Sequence, residues 1–316
     1  DSGTKQPTTA GEVTFGVDLT GFSTRVTQDG SSWNDGDKIG TYVLDMKTLE
    51  PVTEAANVPY VCSEEGASVS FTSTTPLKVQ NDGTPVKFVA YYPYNADVRN
   101  FNYPVQLAAQ ERGSTACDLL YAATKEEYTY SPENEPHISL NFTHRLAKVI
   151  LKFVNMEKEP LEVSDVRIEG MQTAASFNIQ TDVLTVDESS VATINPYHNA
   201  TTGFYEAIIL PSALTDSYKV SFVLDDREKE WIFTNLDIAL PQFHKGYSYT
   251  FALYIDDSGF VEMGRLENVE GGNSSAPWED GSSEDGTAEG DKTPVSGYAF
   301  TPADGTQQAL ADTELK

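Results

Sequence analysis

Cysteine is scarce in this sequence. Only Cys62 and Cys117 occur, far apart and outside any Cys-x-x-Cys spacing, which removes a structural zinc site of the usual kind. One disulfide between them in an oxidising compartment, and two buried thiols, are both compatible with the sequence. Basic residues are also few. Against 48 Asp and Glu stand 21 Lys and Arg, a formal net charge of -27, so there is no basic stripe for nucleic acid or an anionic membrane surface. The four histidines, His137, His144, His198 and His244, are scattered and never in HExxH or HxH spacing, so each reads as structural and no metal is expected. A GxSxG elbow, a glycine-rich phosphate cradle and a Cys–His pair are all missing, and with them any visible nucleophile or cofactor site. Carboxylates are numerous enough to fall close together, but no spacing singles out a catalytic pair. The chain is therefore read as a non-enzyme. No run approaches the roughly 20 apolar residues of a membrane-spanning helix and no signal peptide is present, so a mature or trimmed form is expected.

What is present is strand pattern. At 316 residues the chain has room for about two domains of roughly 150 residues each. The stretch NFTHRLAKVILKFVN at 141–155 organises the rest. Ala147, Val149, Leu151 and Phe153 form one wholly apolar face, while Leu146, Lys148, Ile150, Lys152 and Val154 form a mixed one. That predicts a strand with a core on one side and a wetter neighbour on the other, at the seam between two β domains. Alternation at Val13, Phe15, Val17 and Leu19 predicts a first strand. Further strands are predicted at 38–44, 58–62, 68–72, 86–92, 138–142, 161–169, 183–186, 192–195, 204–210, 218–224, 230–233 and 247–255. No sustained helical stripe interrupts them. Residues 105–117, rich in Ala and Gln, read as a long loop or a short helical insert.

The ends differ in composition. Residues 1–11 are small and polar, a flexible leader, and the chain beyond 265 becomes an acidic Gly- and Ser-rich linker with a C-terminal segment, 266–316. Between them lie an N-terminal β-sandwich, 12–143, and a C-terminal one, 144–265. The acidic clusters at 225–230 and 279–291 lack calcium-loop spacing and read as solvated turns. Three Asn-x-Ser/Thr triplets, at Asn141, Asn199 and Asn273, carry no assigned role.

Several segments in this order resemble the fimbrillin family of Bacteroidales surface proteins, the subunits of type V pili. They are Thr24–Arg25 followed by WNDGDKIGTYV, KFVAYYPYN at 87–95, DLLYA at 118–122, LNFTHRLAKVILKF at 140–153 and HKGYSYTFAL at 244–253, with Trp278 in the place of the family's terminal tryptophan. The resemblance implies two tandem transthyretin-like antiparallel β-sandwiches. It also implies export as a lipoprotein, anchored at the outer membrane through a cysteine upstream of Asp1. Such subunits polymerise by strand exchange after an arginine-directed protease removes the first strand, and Arg25 stands where that cleavage would fall; a plain turn residue is the other reading of it. The expected function is a stalk or tip subunit of a surface fimbria, with other pilin subunits as partners in a homo- or hetero-polymer and host or bacterial glycans or proteins as adhesion targets. The alternative is a surface carbohydrate-binding lipoprotein outside any pilus, its 16 Tyr and 3 Trp supplying a sugar-stacking platform.

Overall fold

The computed structural model describes residues 9–17, 33–66, 68–233, 242–259 and 261–271. Among them the fold is all-β, with a single 3-10 turn at Ser114–Cys117 and no α-helix. The first sheet has eight strands in the spatial order His137–Ser139, Thr14–Val17, Val69–Thr72, Val58–Cys62, Lys38–Asp45, Val86–Tyr92, Leu120–Ala123 and Thr143–His144. Its two end strands are joined only by residues 140–142, so the sheet has to curl back on itself. The curled face encloses a core that includes Phe15, Trp33, Tyr60, Phe71, Phe88 and Phe142.

The second body is a sandwich. Its five-stranded sheet runs Tyr197–His198, Tyr205–Ile209, Ala147–Asn155, Tyr247–Ile255 and Val261–Gly271; a three-stranded sheet of Ser164–Glu169, Lys219–Leu224 and Arg227–Ile232 packs on it. Ala147, Val149, Leu151 and Phe153 all enter the core between these sheets, as their alternation predicts. The partner of this strand lies a hundred residues on: Lys148 to Asn155 pair in parallel with Ser248 to Ile255. Two segments with no sequence likeness thus form the centre of one sheet.

Between the bodies lies a third apolar cluster. Tyr42, Leu44, Val89, Tyr91 and Tyr121 come from the outer face of the first sheet, and Leu146, Ile208 and Leu210 from that of the second. A small sheet completes it, in which the hairpin Ala174–Asn178/Val183–Val186 pairs with Asn102–Gln106. The mixed face of the 147–155 strand is consequently buried at its start and half-exposed at Lys152 and Val154. Leu146 and Ile150 are buried, and so is Lys148.

Other departures have local causes. The run 138–142 does not stay extended in one strand, because its two ends belong to opposite edges of the curled sheet. Segment 192–195 forms no strand and makes only isolated bridges, Ile168 to Ile194 and Ala109 to Asn195. Residues 105–117 divide into the end of a strand, a loop and the 3-10 turn. The acidic cluster at 225–230 opens with Asp225 and Asp226, both at positive φ, as the two-residue turn between paired strands.

Candidate functional site

The first described strand pair lies at the surface, with only its middle residues turned inward. Ala10–Glu12 pairs antiparallel with Lys78–Gln80. Thr14–Val17 then enters the large sheet between two neighbours, antiparallel to Val69–Thr72 and parallel to His137–Ser139. Its alternation drives Val13, Phe15 and Val17 into the core, at 0%, 0% and 3% exposure. Burying three such side chains contributes roughly 1.5–3 kcal/mol each.

Side chains around this strand fix its register. The Phe15 ring meets Tyr60 edge-on at 4.8 Å and Phe88 at 5.8 Å. The Tyr60 hydroxyl donates to the Val13 carbonyl at 2.9 Å and accepts the Leu77 N–H at 2.8 Å, so one phenol clasps the strand to its neighbour. Burial pushes that phenol up to about 12, so it remains a donor at neutral pH. Thr14 Oγ1 lies 2.9 Å from His137 Nδ1. Gly11 has no room for a side chain, since a Cβ there would stand 2.4 Å from the Tyr130 ring and 2.9 Å from Pro136. None of Tyr60, Tyr130 or His137 is marked by the sequence, because only the curled sheet brings them to the strand.

Downstream, Arg25 and the rest of 18–32 lie outside the described residues, as do Leu19, Asn273 and Trp278. The chain is anchored again at Trp33. Its N–H donates to Gly66 O at 3.0 Å and its carbonyl accepts Gly66 N–H at 3.1 Å. The indole is fully buried against Phe71, Tyr92 and Phe142. The turn after it is held by Asp37, whose carboxylate accepts Asn34 N–H at 2.7 Å and the Tyr92 hydroxyl at 3.3 Å. Burial raises the Asp37 carboxyl above the usual range, against those hydrogen bonds. Gly40 is required by a close approach, the Tyr91 ring lying 2.2 Å from where a Cβ would be.

The seam sends successive residues to different places. Phe142 fills the first core, His144 meets Asp118, Arg145 forms a fork on Asp182 with one arm at 3.0 Å, Leu146 enters the middle cluster and Ala147 the second core. Cys62 and Cys117 are both free thiols. Cys62 belongs to the first core and Cys117 packs against the middle cluster, on the other face of the same sheet.

A strand held on both edges by backbone hydrogen bonds and seated by alternate apolar side chains has a simple property. Any extended segment with the same pattern can make the same bonds, and the slot without it exposes two bare strand edges and an open core. The slot that Thr14–Val17 fills is thus shaped for an extended strand.

The sequence model of the fimbrillin-like family matches residues 24–278. The chain belongs to the fimbrillin-like family. Solved structures agree in fold. A Bacteroides uniformis protein named for cell adhesion superposes with a TM-score of 0.64 at 22% identity, covering 85% of this chain and 98% of its own. A second such protein, from Bacteroides ovatus, gives 0.59 at 15% identity over the same shares, 85% and 98%. No curated protein matches the chain. Membership makes this chain a fimbria-associated protein of the cell surface, and not an enzyme.

Proposed function

We propose that this chain is a structural or tip subunit of a type V fimbria and that it assembles by β-strand exchange. In this reading the strand Thr14–Val17 occupies the groove until a protease cuts at Arg25. An extended segment of the neighbouring subunit then takes its place, in a head-to-tail contact that need not close. The observation that supports it most is position: the strand just upstream of Arg25 fills an interior slot between Val69–Thr72 and His137–Ser139. Trp33, buried downstream, would keep the trimmed chain anchored after the cut. The body of the subunit is read as two tandem transthyretin-like sandwiches, 12–143 and 144–265, the last strand of the second running on to Gly271, with export as a lipoprotein and an outer-membrane anchor upstream of Asp1.

The carbohydrate-binding alternative has less support. Among the described residues the exposed large apolar side chains are Met156, Val183 and Val191, and none is an aromatic on which a sugar would stack.

The test treats the folded chain with an arginine-specific protease. Expected are a new N-terminus at Val26 and a ladder of SDS-resistant oligomers, both abolished by Arg25→Ala. A chain that keeps residues 10–17 after digestion and forms no ladder overturns the proposal.

A further inference from the structure

The outward face of the five-stranded sheet carries a buried polar cluster that the strand groove does not use. Lys148 Nζ lies 2.8 Å from Glu206 Oε2, with the two side chains 9% and 2% exposed. The other oxygen of the same carboxylate, Oε1, accepts Asn199 Nδ2 at 2.9 Å. Asn199 is itself buried, which closes its Asn-x-Thr triplet to modification from outside. The surroundings are apolar. Strand register sets Lys148 opposite Ile208 and Glu206 opposite Ile150, and both isoleucines are buried.

An isolated buried ion pair gains little over an apolar pair of the same shape. This cluster has two features beyond an ion pair. A single carboxylate bridges an amine and an amide nitrogen, and the oxygen of that amide is already polarised. Asn199 Oδ1 accepts the backbone N–H groups of Thr201 at 3.0 Å and Thr202 at 3.3 Å. An amine, a carbonyl carbon whose oxygen faces two N–H donors, and a proton carrier touching both nitrogens are the parts an acyl transfer needs. Holding both nitrogens on one buried carboxylate makes such a transfer unimolecular.

We propose that Lys148 and Asn199 join in an intramolecular isopeptide bond, with Glu206 carrying the protons. The Lys148 ammonium gives a proton to Glu206 Oε2, and the freed amine lone pair attacks Asn199 Cγ, forming the new C–N bond. Negative charge collects on Oδ1, where the Thr201 and Thr202 N–H groups hold it. Glu206 passes its proton to Nδ2 and takes one from the attacking nitrogen. The carbonyl reforms, the Cγ–Nδ2 bond breaks, and ammonia leaves, taking up the proton that Glu206 then holds. The net change is one ammonium and one primary amide converted to one secondary amide and one ammonium ion, with no oxidation or reduction.

The bond ties the long strand Ala147–Asn155 to the turn between Tyr197–His198 and Tyr205–Ile209, at the sheet's edge. Tension on the second body would then meet a covalent link where it otherwise meets hydrogen bonds. This reading stands apart from strand exchange and is tested without polymerisation.

Intact-mass spectrometry of the folded full chain, followed until the mass is constant, decides it. Expected is a mass below that of the sequence by one ammonia, with a peptide map joining the segments that hold Lys148 and Asn199. Glu206→Gln and Lys148→Met are expected at their full sequence masses, and Asn199→Asp is expected to give the same joined peptides with loss of water. A wild-type chain that stays at full sequence mass, or an ammonia loss that maps elsewhere or persists in both Glu206→Gln and Lys148→Met, overturns the proposal.

Discussion

His144 and Asp118 face one another in the interior, Nδ1 standing 2.8 Å from one carboxylate oxygen and 2.9 Å from the other. The contact joins two sequence segments, DLLYA and FTHRLAKV, at the edge of the first sheet where Thr143–His144 pairs with Leu120 and Tyr121. One residue later the chain leaves that sheet. The pair therefore fixes where the first body ends, while the Arg145 fork on Asp182 fixes the hairpin turn above it.

His144→Ala is expected to lower stability by about 1–3 kcal/mol, the range for removing one member of a buried hydrogen-bonded pair. Asp118→Ala should cost a similar amount, and the double variant much less than the sum. Urea unfolding of the four proteins measures the coupling, and additive losses would show that the two residues act separately.

Much of this fold is legible in the sequence because alternation survives wherever a strand has one buried side. The strands at 58–62, 86–92, 183–186 and 247–255 begin and end where alternation and turn residues place them. Short strands whose exposed and buried positions barely repeat are not legible, such as Lys78–Gln80 and Leu120–Ala123. Neither is partnership: nothing in Thr14–Val17 foretells that His137–Ser139 lies beside it in parallel. The pairing on the mixed face of the 147–155 strand is illegible for a related reason. Lys148 and Lys152 look solvated until Glu206 and Glu267 are folded against them at 2.8 Å and 3.2 Å.

Gly11 of Ala10–Glu12 and Gly16 of Thr14–Val17 should differ in what they tolerate. Gly11→Val drives a side chain into the Tyr130 ring and Pro136, both of them buried. At Gly16 the neighbour is the exposed His137 ring, with Nε2 at 2.6 Å from a Cβ, and a ring at the surface can swing away. Gly11→Val is thus expected to raise the rate of hydrogen exchange across residues 10–17 at least tenfold, Gly16→Ala by far less, a tenfold change being about 1.4 kcal/mol. Equal effects would place the strand's constraint elsewhere.

Tyr60 gives a test on the alkaline side. Its ordinary value of 10 is raised to about 12 by burial, so the neutral phenol contributes stability that is complete below 10 and lost as pH rises through about 12. Tyr60→Phe removes the clasp between Val13 and Leu77 and should cost on the order of 1–3 kcal/mol at neutral pH. It should also release one proton fewer on alkaline unfolding, read by tyrosinate absorbance. An unchanged count would mean that Tyr60 ionises freely in the folded protein.

His244, just before the closing strand, gives a test on the acid side. Burial lowers its value from the ordinary 6.5, so the folded state holds the ring neutral where the unfolded chain would protonate it. The unfolded state binds more protons there, so stability is full above 6.5 and falls as pH drops through the lowered folded value. Geometry gives the loss a structural form. Gln242 Nε2 stands 2.9 Å from Nδ1, and a protonated ring would oppose one N–H to another unless the amide turned over. The His244 backbone N–H donates to the Tyr249 hydroxyl at 2.8 Å, and Gly246 N–H donates to Leu146 O at 2.7 Å. Acid loosening at His244 therefore reaches the join between the closing strand and the seam. Thermal melts of wild type and His244→Gln across the acid range should diverge, the wild type losing more as pH falls below 6.5. Parallel curves would assign the acid limb to the carboxylates alone.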